Sequence, residues 1–292
     1  MKIYGVIDIG SNSVRARSFA DGKILYSGLL TTRLGEGLAT GDTLTECSVR
    51  DTISAIHTFI AELIKSGAEE IFAFATEAVR SAKNGVGFTA RVKAELGLEI
   101  DVVGGDEEGE LALLGAVGGA DGGVIDIGGA SAEISAVKNG KIIYSHSLPL
   151  GAVRLFGSCK EDEEKLDALV SGRITEYGKV PTDVDYRAVG GTATTLAALD
   201  MRLEKYDENK VDGYVLTRSA LEKDYALIMQ ADKKTRIEKL RIQEKRADII
   251  GCGAYLLLRI MTEFKIDKVT VKESDNLLGY LKKRVYGESY ER

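Results

Sequence analysis

The sequence predicts two mixed α/β domains related by duplication, on three observations. Residues 5–27 (GVIDIGSNSVRARSFADGKILYS) and 123–145 (GVIDIGGASAEISAVKNGKIIYS) match without a gap at 12 of 23 positions, at an offset of 118. Each copy reads as strand, tight turn, strand, hairpin, strand. Each is followed by stretches with helical periodicity. A period this long exceeds any solenoid unit and points to duplicated domains. The Gly118–Gly122 stretch (GGADG) marks the boundary, giving domains at 1–118 and 119–292.

The elements follow in order. Val6-Ile7-Asp8-Ile9 is a short apolar strand, closed by Gly10-Ser11 as a turn, and Val124-Ile125-Asp126-Ile127 repeats it. Asp21-Gly22 and Asn139-Gly140 are hairpin turns, because both residue types tolerate positive φ. Helical spacing covers 46–66, 106–117, 160–177 and 192–204, and a mostly apolar helix runs from Arg246 to near Thr262. Ile71–Ala75, Tyr186–Val189 and Asp267–Val271 read as strands. A final helix spans Asn276–Tyr286 and is expected to cross back to the first domain.

Composition removes several function classes. Among 292 residues, 39 basic and 45 acidic side chains leave a net charge of −6, which argues against a nucleic-acid polymer as partner. No apolar run reaches the roughly 18 residues of a membrane span, and an acid as early as Asp8 does not suit a signal peptide. Cys47, Cys159 and Cys252 form no CxxC pair, predicting reduced thiols and a cytoplasmic protein, with Cys252 a buried small hydrophobe. His57 and His146 are the only histidines, and HExxH, GxSxG and Walker motifs are absent. Any catalysis must therefore use carboxylates, a metal ion or backbone dipoles. The amphipathic segments allow a homodimer without identifying its interface.

The repeated turns suggest phosphate. Each places a carboxylate beside glycine-rich backbone whose N–H groups can form an anion nest. A carboxylate repels bare phosphate but can hold a divalent cation that screens both charges, and Mg²⁺ commonly takes one or two carboxylates plus waters and phosphate oxygens. Two such turns across a cleft would grip a phosphate from both sides. Asp106-Glu107-Glu108 reads locally as a helix start, with Asp106 as N-cap and the glutamates favoured by the helix dipole.

Five segments resemble the exopolyphosphatase / guanosine pentaphosphate phosphohydrolase family: Asp8–Arg15 (DIGSNSVR), Ala75–Asn84 (ATEAVRSAKN), Gly105–Glu108 (GDEE), Asp126–Glu133 (DIGGASAE) and Gly190–Thr195 (GGTATT). Ser147–Leu155 and Arg246–Ile250 add support, and the match is collinear along the chain. The resemblance implies the fold of the actin, sugar-kinase and heat-shock ATPase superfamily: two ribonuclease-H-like domains about a central cleft. It implies hydrolysis of a terminal phosphoanhydride in polyphosphate or a guanosine polyphosphate, with Mg²⁺ or another divalent cation. By position, Glu108 matches the catalytic base, and Asp126 and Glu133 match the metal-binding and water-positioning carboxylates. The backbone of Gly10, Ser11, Asn12 and Ser13 and of Gly128, Gly129, Ala130 and Ser131 matches the phosphate cradle. Gly190, Gly191 and Thr192 offer a third nest. Arg80 matches a phosphate-contacting arginine, and Arg15 and Arg246 are further candidates.

The chain also departs from that pattern. Ala130 replaces the third glycine of the second turn, Ala132 the following threonine, Asp212 a common histidine and Lys272 a usual serine. The altered turn leaves open a non-catalytic nucleotide or polyphosphate sensor. The wider superfamily leaves open an ATP-dependent small-molecule kinase.

Overall fold

The computed structural model describes residues 2–39, 41–273 and 276–291. The first half contains β1 (Tyr4–Ile9), β2 (Ser13–Ala20), β3 (Lys23–Thr31), α1 (Glu46–Lys65), β4 (Glu70–Ala75), α2 (Glu77–Ser81), α3 (Gly85–Leu96), β5 (Asp101–Val102) and α4 (Gly105–Ala116). Its sheet has the order β3-β2-β1-β4-β5, with β1–β2 and β2–β3 antiparallel and β1–β4 and β4–β5 parallel. The second half contains β6 (Gly122–Ile127), β7 (Ala132–Lys138), β8 (Lys141–Leu148), α5 (Ala152–Cys159), α6 (Glu163–Ile174), β9 (Tyr186–Val189), α7 (Gly190–Asp200), α8 (Glu208–Val211), β10 (Val215–Thr217), α9 (Arg218–Gln230), α10 (Lys233–Glu238), α11 (Ile250–Glu263), β11 (Lys268–Val271) and α12 (Asn276–Tyr286). Its sheet order is β10-β11-β9-β6-β7-β8. Read from β8, this repeats the first order and adds β10 at the edge, so each half has the ribonuclease-H-like arrangement that the resemblance implies.

The duplication reaches fine detail. Asp21 and Gly22 have φ of 48° and 73°, and Asn139 and Gly140 have 52° and 74°, as the hairpin reading requires. Both meanders slip register at equivalent places, between Ser18 and Phe19 and between Ala136 and Val137. Such a bulge strengthens the local twist.

Helices α1, α4, α6, α7, α11 and α12 form where the apolar spacing puts them, and α2, α3, α5 and α8–α10, which that spacing did not mark, add to them. Thr45 caps α1 by accepting from Ser48 N at 3.2 Å, and its buried stripe of Val49, Ile53, Ile56, Phe59 and Leu63 packs into the core over β1 and β2. Asp162 likewise caps α6. Three boundaries differ from the sequence reading. α4 is preceded by Gly104, so Asp106 lies in the first turn and is not the cap. α7 starts at Gly190 and stops at Asp200. α11 starts at Ile250, four residues beyond Arg246, because 246–249 form a turn. Cys252 is fully buried, as expected.

α4 and α12 tie the halves together. Leu277, Tyr280 and Leu281 of α12 pack with Val6, Phe74 and Leu111, so the last helix does cross back to the first sheet. Ala112, Leu113 and Ala116 on another side of α4 pack with Val124, Val137 and Val189 of the second sheet. Their crossing is close. A Cβ on Gly279 would lie 1.8 Å from the Leu111 carbonyl oxygen, so only glycine fits. Among the described residues no helix is long and apolar enough to cross a membrane.

Candidate active site

β1 and β6 deliver Asp8 and Asp126 near their C-terminal ends, and the same turn follows each. Gly10 N donates to Ser13 O at 3.0 Å, and Gly128 N to Ser131 O at 3.0 Å. The turns abut: a Cβ on Gly129 would stand 2.9 Å from Ser11 Cβ and 3.1 Å from Asn12 N. Val153 N and Arg154 N bond Gly129 O at 2.8 and 3.0 Å, fixing the second turn on the start of α5. Between the turns lies one cleft. Gly10, Ser11, Asn12, Ser13 and Arg15 line it from the first half, and Gly128, Gly129, Ala130, Ser131, Gly190, Gly191, Thr192 and Arg246 from the second. Glu108, Asp8, Asp126 and Asn276 complete its acidic and polar wall.

The start of α7 requires a glycine. Gly190 has φ of +81°, and a Cβ there would meet Asp126 Oδ1 at 2.6 Å. Its bare backbone lets the carboxylate and the helix N-terminus share one space, and the helix dipole favours negative charge there.

Glu108 lies in the first turn of α4 with its side chain buried, while neighbouring Glu107 turns outward to pair with Lys283 at 3.0 Å. Glu108 Oε2 has no hydrogen-bond partner, and the Arg80 guanidinium lies 3.6 Å from it. Burial raises the Glu108 pKa well above the usual carboxylate range, and the charges of Glu133 and Asp126 push the same way, opposed by Arg80. Burial also raises Asp126, against the nearby Arg15 charge. Glu133 is pushed up to about 8 by burial and then by Asp126, although Ser147 donates to its Oε1 at 2.6 Å.

Two candidates do not stand on the cleft wall. Glu133 is buried behind it, on β7 opposite Asp126. Arg80 bonds the Val103 carbonyl and pairs with Glu77, so it touches Glu108 from the side. Arg15 pairs with Asp8 through Nε at 3.1 Å and through its terminal nitrogen. Arg246 is half-buried against Gly191 and also lines a second pocket, with Arg17, Tyr206, Lys272 and Glu273, that continues from the first. Asn276 was missed by motif reading. A lone asparagine at a helix start carries no signal until the helix is placed beside Asp126.

The side chains present suit a hard cation. Asp8 Oδ1, Glu108 Oε2, Glu133 Oε2 and Asn276 Oδ1 are buried oxygens without hydrogen-bond partners. Leaving such atoms unmatched is costly, and a divalent cation with its waters would satisfy them. Among the described residues no group of three His, Cys, Asp or Glu side chains forms a ready-made metal cage. Mg²⁺ is usually held by one or two carboxylates with waters and substrate phosphates.

The sequence model of the Ppx/GppA phosphatase family matches residues 17–275. The chain belongs to the Ppx/GppA phosphatase family. As a member it is a hydrolase. Exopolyphosphatase 2 of Mycobacterium tuberculosis is 31% identical, over 94% of this chain and 95% of that protein. The bifunctional 3-dehydroquinate synthase/phosphatase of Fusobacterium nucleatum is 28% identical, and there the chain spans 94% of itself but only 45% of the relative. The crystal structure of the Aquifex aeolicus Ppx/GppA family member superposes with a TM-score of 0.80 at 30% identity, covering 99% of both chains.

Three of the four departures from the family pattern, at Ala130, Asp212 and Lys272, have local explanations. Ala130 does not have positive φ, so its methyl costs no backbone strain, and its carbonyl accepts from Arg154 Nε at 2.9 Å. Asp212 and Lys272 pair with each other at 2.6 Å, and Asp212 also accepts from Glu273 N at 3.0 Å. Two unusual residues are thus one interaction at the end of β11.

Proposed function

We propose that this chain is a divalent-cation-dependent phosphoanhydride hydrolase that releases the terminal phosphate of inorganic polyphosphate or guanosine pentaphosphate. The observation that carries this reading is the position of Glu108. Its side chain, whose Oε2 has no hydrogen-bond partner and only the Arg80 guanidinium beside it, lines the cleft that holds both glycine turns. The exopolyphosphatase name of the Mycobacterium tuberculosis relative supports polyphosphate as the substrate.

Phosphoanhydride cleavage requires an in-line water, charge neutralisation and little covalent help. Glu108 accepts the proton of the attacking water as the water oxygen bonds the terminal phosphorus, and the anhydride oxygen leaves with the bonding pair. The turn amides around Gly10–Ser13 and Gly128–Ser131, with the start of α7 at Gly190, Gly191 and Thr192, receive phosphate oxygens. Arg15 and Arg246 add positive charge along the cleft, and Arg80 holds the Glu108 carboxylate from the side. Asp126, backed by Glu133, would hold Mg²⁺, whose chemistry here is to neutralise phosphate charge. The division into domains at 1–118 and 119–292, and a cytoplasmic location, belong to the same reading.

The test is phosphate release with Mg²⁺ from polyphosphates of several chain lengths, guanosine pentaphosphate, guanosine tetraphosphate and ATP, for the wild type and Glu108→Gln. Release that depends on Glu108 supports the reading. Tight binding without release with any divalent metal would make the chain a sensor instead.

A further inference from the structure

Asn276 opens α12, is 2% exposed and lines the cleft. Its Nδ2 donates to Asp126 Oδ2 at 3.3 Å, while its Oδ1 has no hydrogen-bond partner. The orientation is imposed from outside the site. Leu277, Tyr280 and Leu281 pack in the first-sheet core, and Gly279 sets α12 against the backbone of Leu111, one turn beyond Glu108 on α4. Asn276 therefore belongs to a helix seated on the first half, yet holds a carboxylate delivered by the second.

We propose that Asn276 is a positioning residue for the cation of this site. Its amide nitrogen fixes the Asp126 carboxylate, and its Oδ1 accepts a hydrogen bond from a water in the cation's shell. The inference rests on the reading that Asp126 holds a divalent cation. The chemistry of the donor supports it. A carboxamide oxygen is a hard acceptor of the kind found around Mg²⁺, and partners that orient a ligating carboxylate typically contribute 10–100-fold to metal affinity. The Nδ2 bond also leaves Asp126 Oδ1, the atom facing Gly190, for other partners.

The experiment is calorimetric titration of the metal-free full chain with MnCl₂, without substrate, for the wild type, Asn276→Ala and Asn276→Ser. Serine is well tolerated at helix starts and keeps the fold in view if alanine does not. Both variants are expected to bind Mn²⁺ about 10–100-fold more weakly. In turnover assays the Mg²⁺ requirement should rise by a similar factor, with the KM for polyphosphate at saturating Mg²⁺ changed less than about twofold, because Asn276 acts through the cation's shell rather than on the substrate. Unchanged Mn²⁺ affinity in either folded variant overturns the proposal. So does failure of both variants to fold, which would make Asn276 purely structural. A wild type that binds no Mn²⁺ defeats the underlying cation reading as well, so the two failures are distinct.

Discussion

Asp126 and Glu133 are cross-strand partners on β6 and β7, and at the equivalent positions of the first repeat Asp8 faces Arg15. One copy of the duplication thus pairs a carboxylate with a guanidinium, and the other sets two buried carboxylates together. Two acids in this arrangement repel when both are ionised. The first copy is internally neutralised, whereas in the second the partner strand offers another acid in place of a counter-charge.

This difference predicts a pH-dependent stability. The folded chain holds the Glu133 proton up to about pH 8, whereas an unfolded glutamate releases it near its ordinary pKa of 4.5. Between those values the folded state binds more protons, so stability falls as pH rises, by up to about 1.4 kcal/mol per pH unit. Urea unfolding in EDTA at pH 5 to 8 should show this decline in the wild type and a shallower one in Glu133→Gln. Parallel curves would remove Glu133 as its source.

Glu108→Gln should leave the KM for polyphosphate nearly unchanged and lower kcat by about 10²–10⁴-fold, the usual contribution of a general base. The wild-type rate should fall at low pH, where Glu108 takes up a proton, with a midpoint well above the ordinary carboxylate value because of burial and its acidic neighbours. Steady-state kinetics across pH check both statements. A retained kcat would exclude Glu108 from proton transfer.

Gly279→Ala tests the crossing of the last helix. Its methyl would overlap the Leu111 backbone, which cannot rotate away. A loss of about 2 kcal/mol or more is expected from overpacking, read as a lower urea midpoint. Activity should fall too, since α4 carries Glu108 and α12 carries Asn276. A variant as stable and active as the wild type would show that the helices separate freely.

The Asp212–Lys272 pair is partly exposed, and its contribution should be small. A double-mutant cycle with Asp212→Ala and Lys272→Ser is expected to give a coupling of about 0.5 kcal/mol, as for other surface ion pairs. A coupling above about 2 kcal/mol would mean that the pair is shielded from solvent in a way its exposure does not suggest.

Much of the fold was legible because it repeats. The strand-turn-strand pattern recurs at a fixed offset, and Asp-Gly and Asn-Gly select one hairpin geometry. Short elements escaped. β5 has two residues and β10 three, too few to show a period, and each is held by its neighbour in the sheet. Two helices of ordinary length, α3 and α9, were left unassigned as well. The strongly periodic helices were correctly placed, while α7 and α11 were misjudged at their ends because a glycine pair and a turn carry no periodic signal.

By itself the sequence determined the duplicated turns, the carboxylates beside them and the family. These are local or repeated features, written in consecutive residues. Only the tertiary structure decided that Gly129 abuts Ser11, that Glu133 sits behind the cleft wall while Glu108 stands on it, and that Asn276 reaches Asp126 across 150 residues. The physical reason is that the cleft is made by packing. Buried charges acquire their protonation and partners from whatever the α4–α12 crossing and the two sheets bring beside them, and no single stretch of chain encodes that neighbourhood.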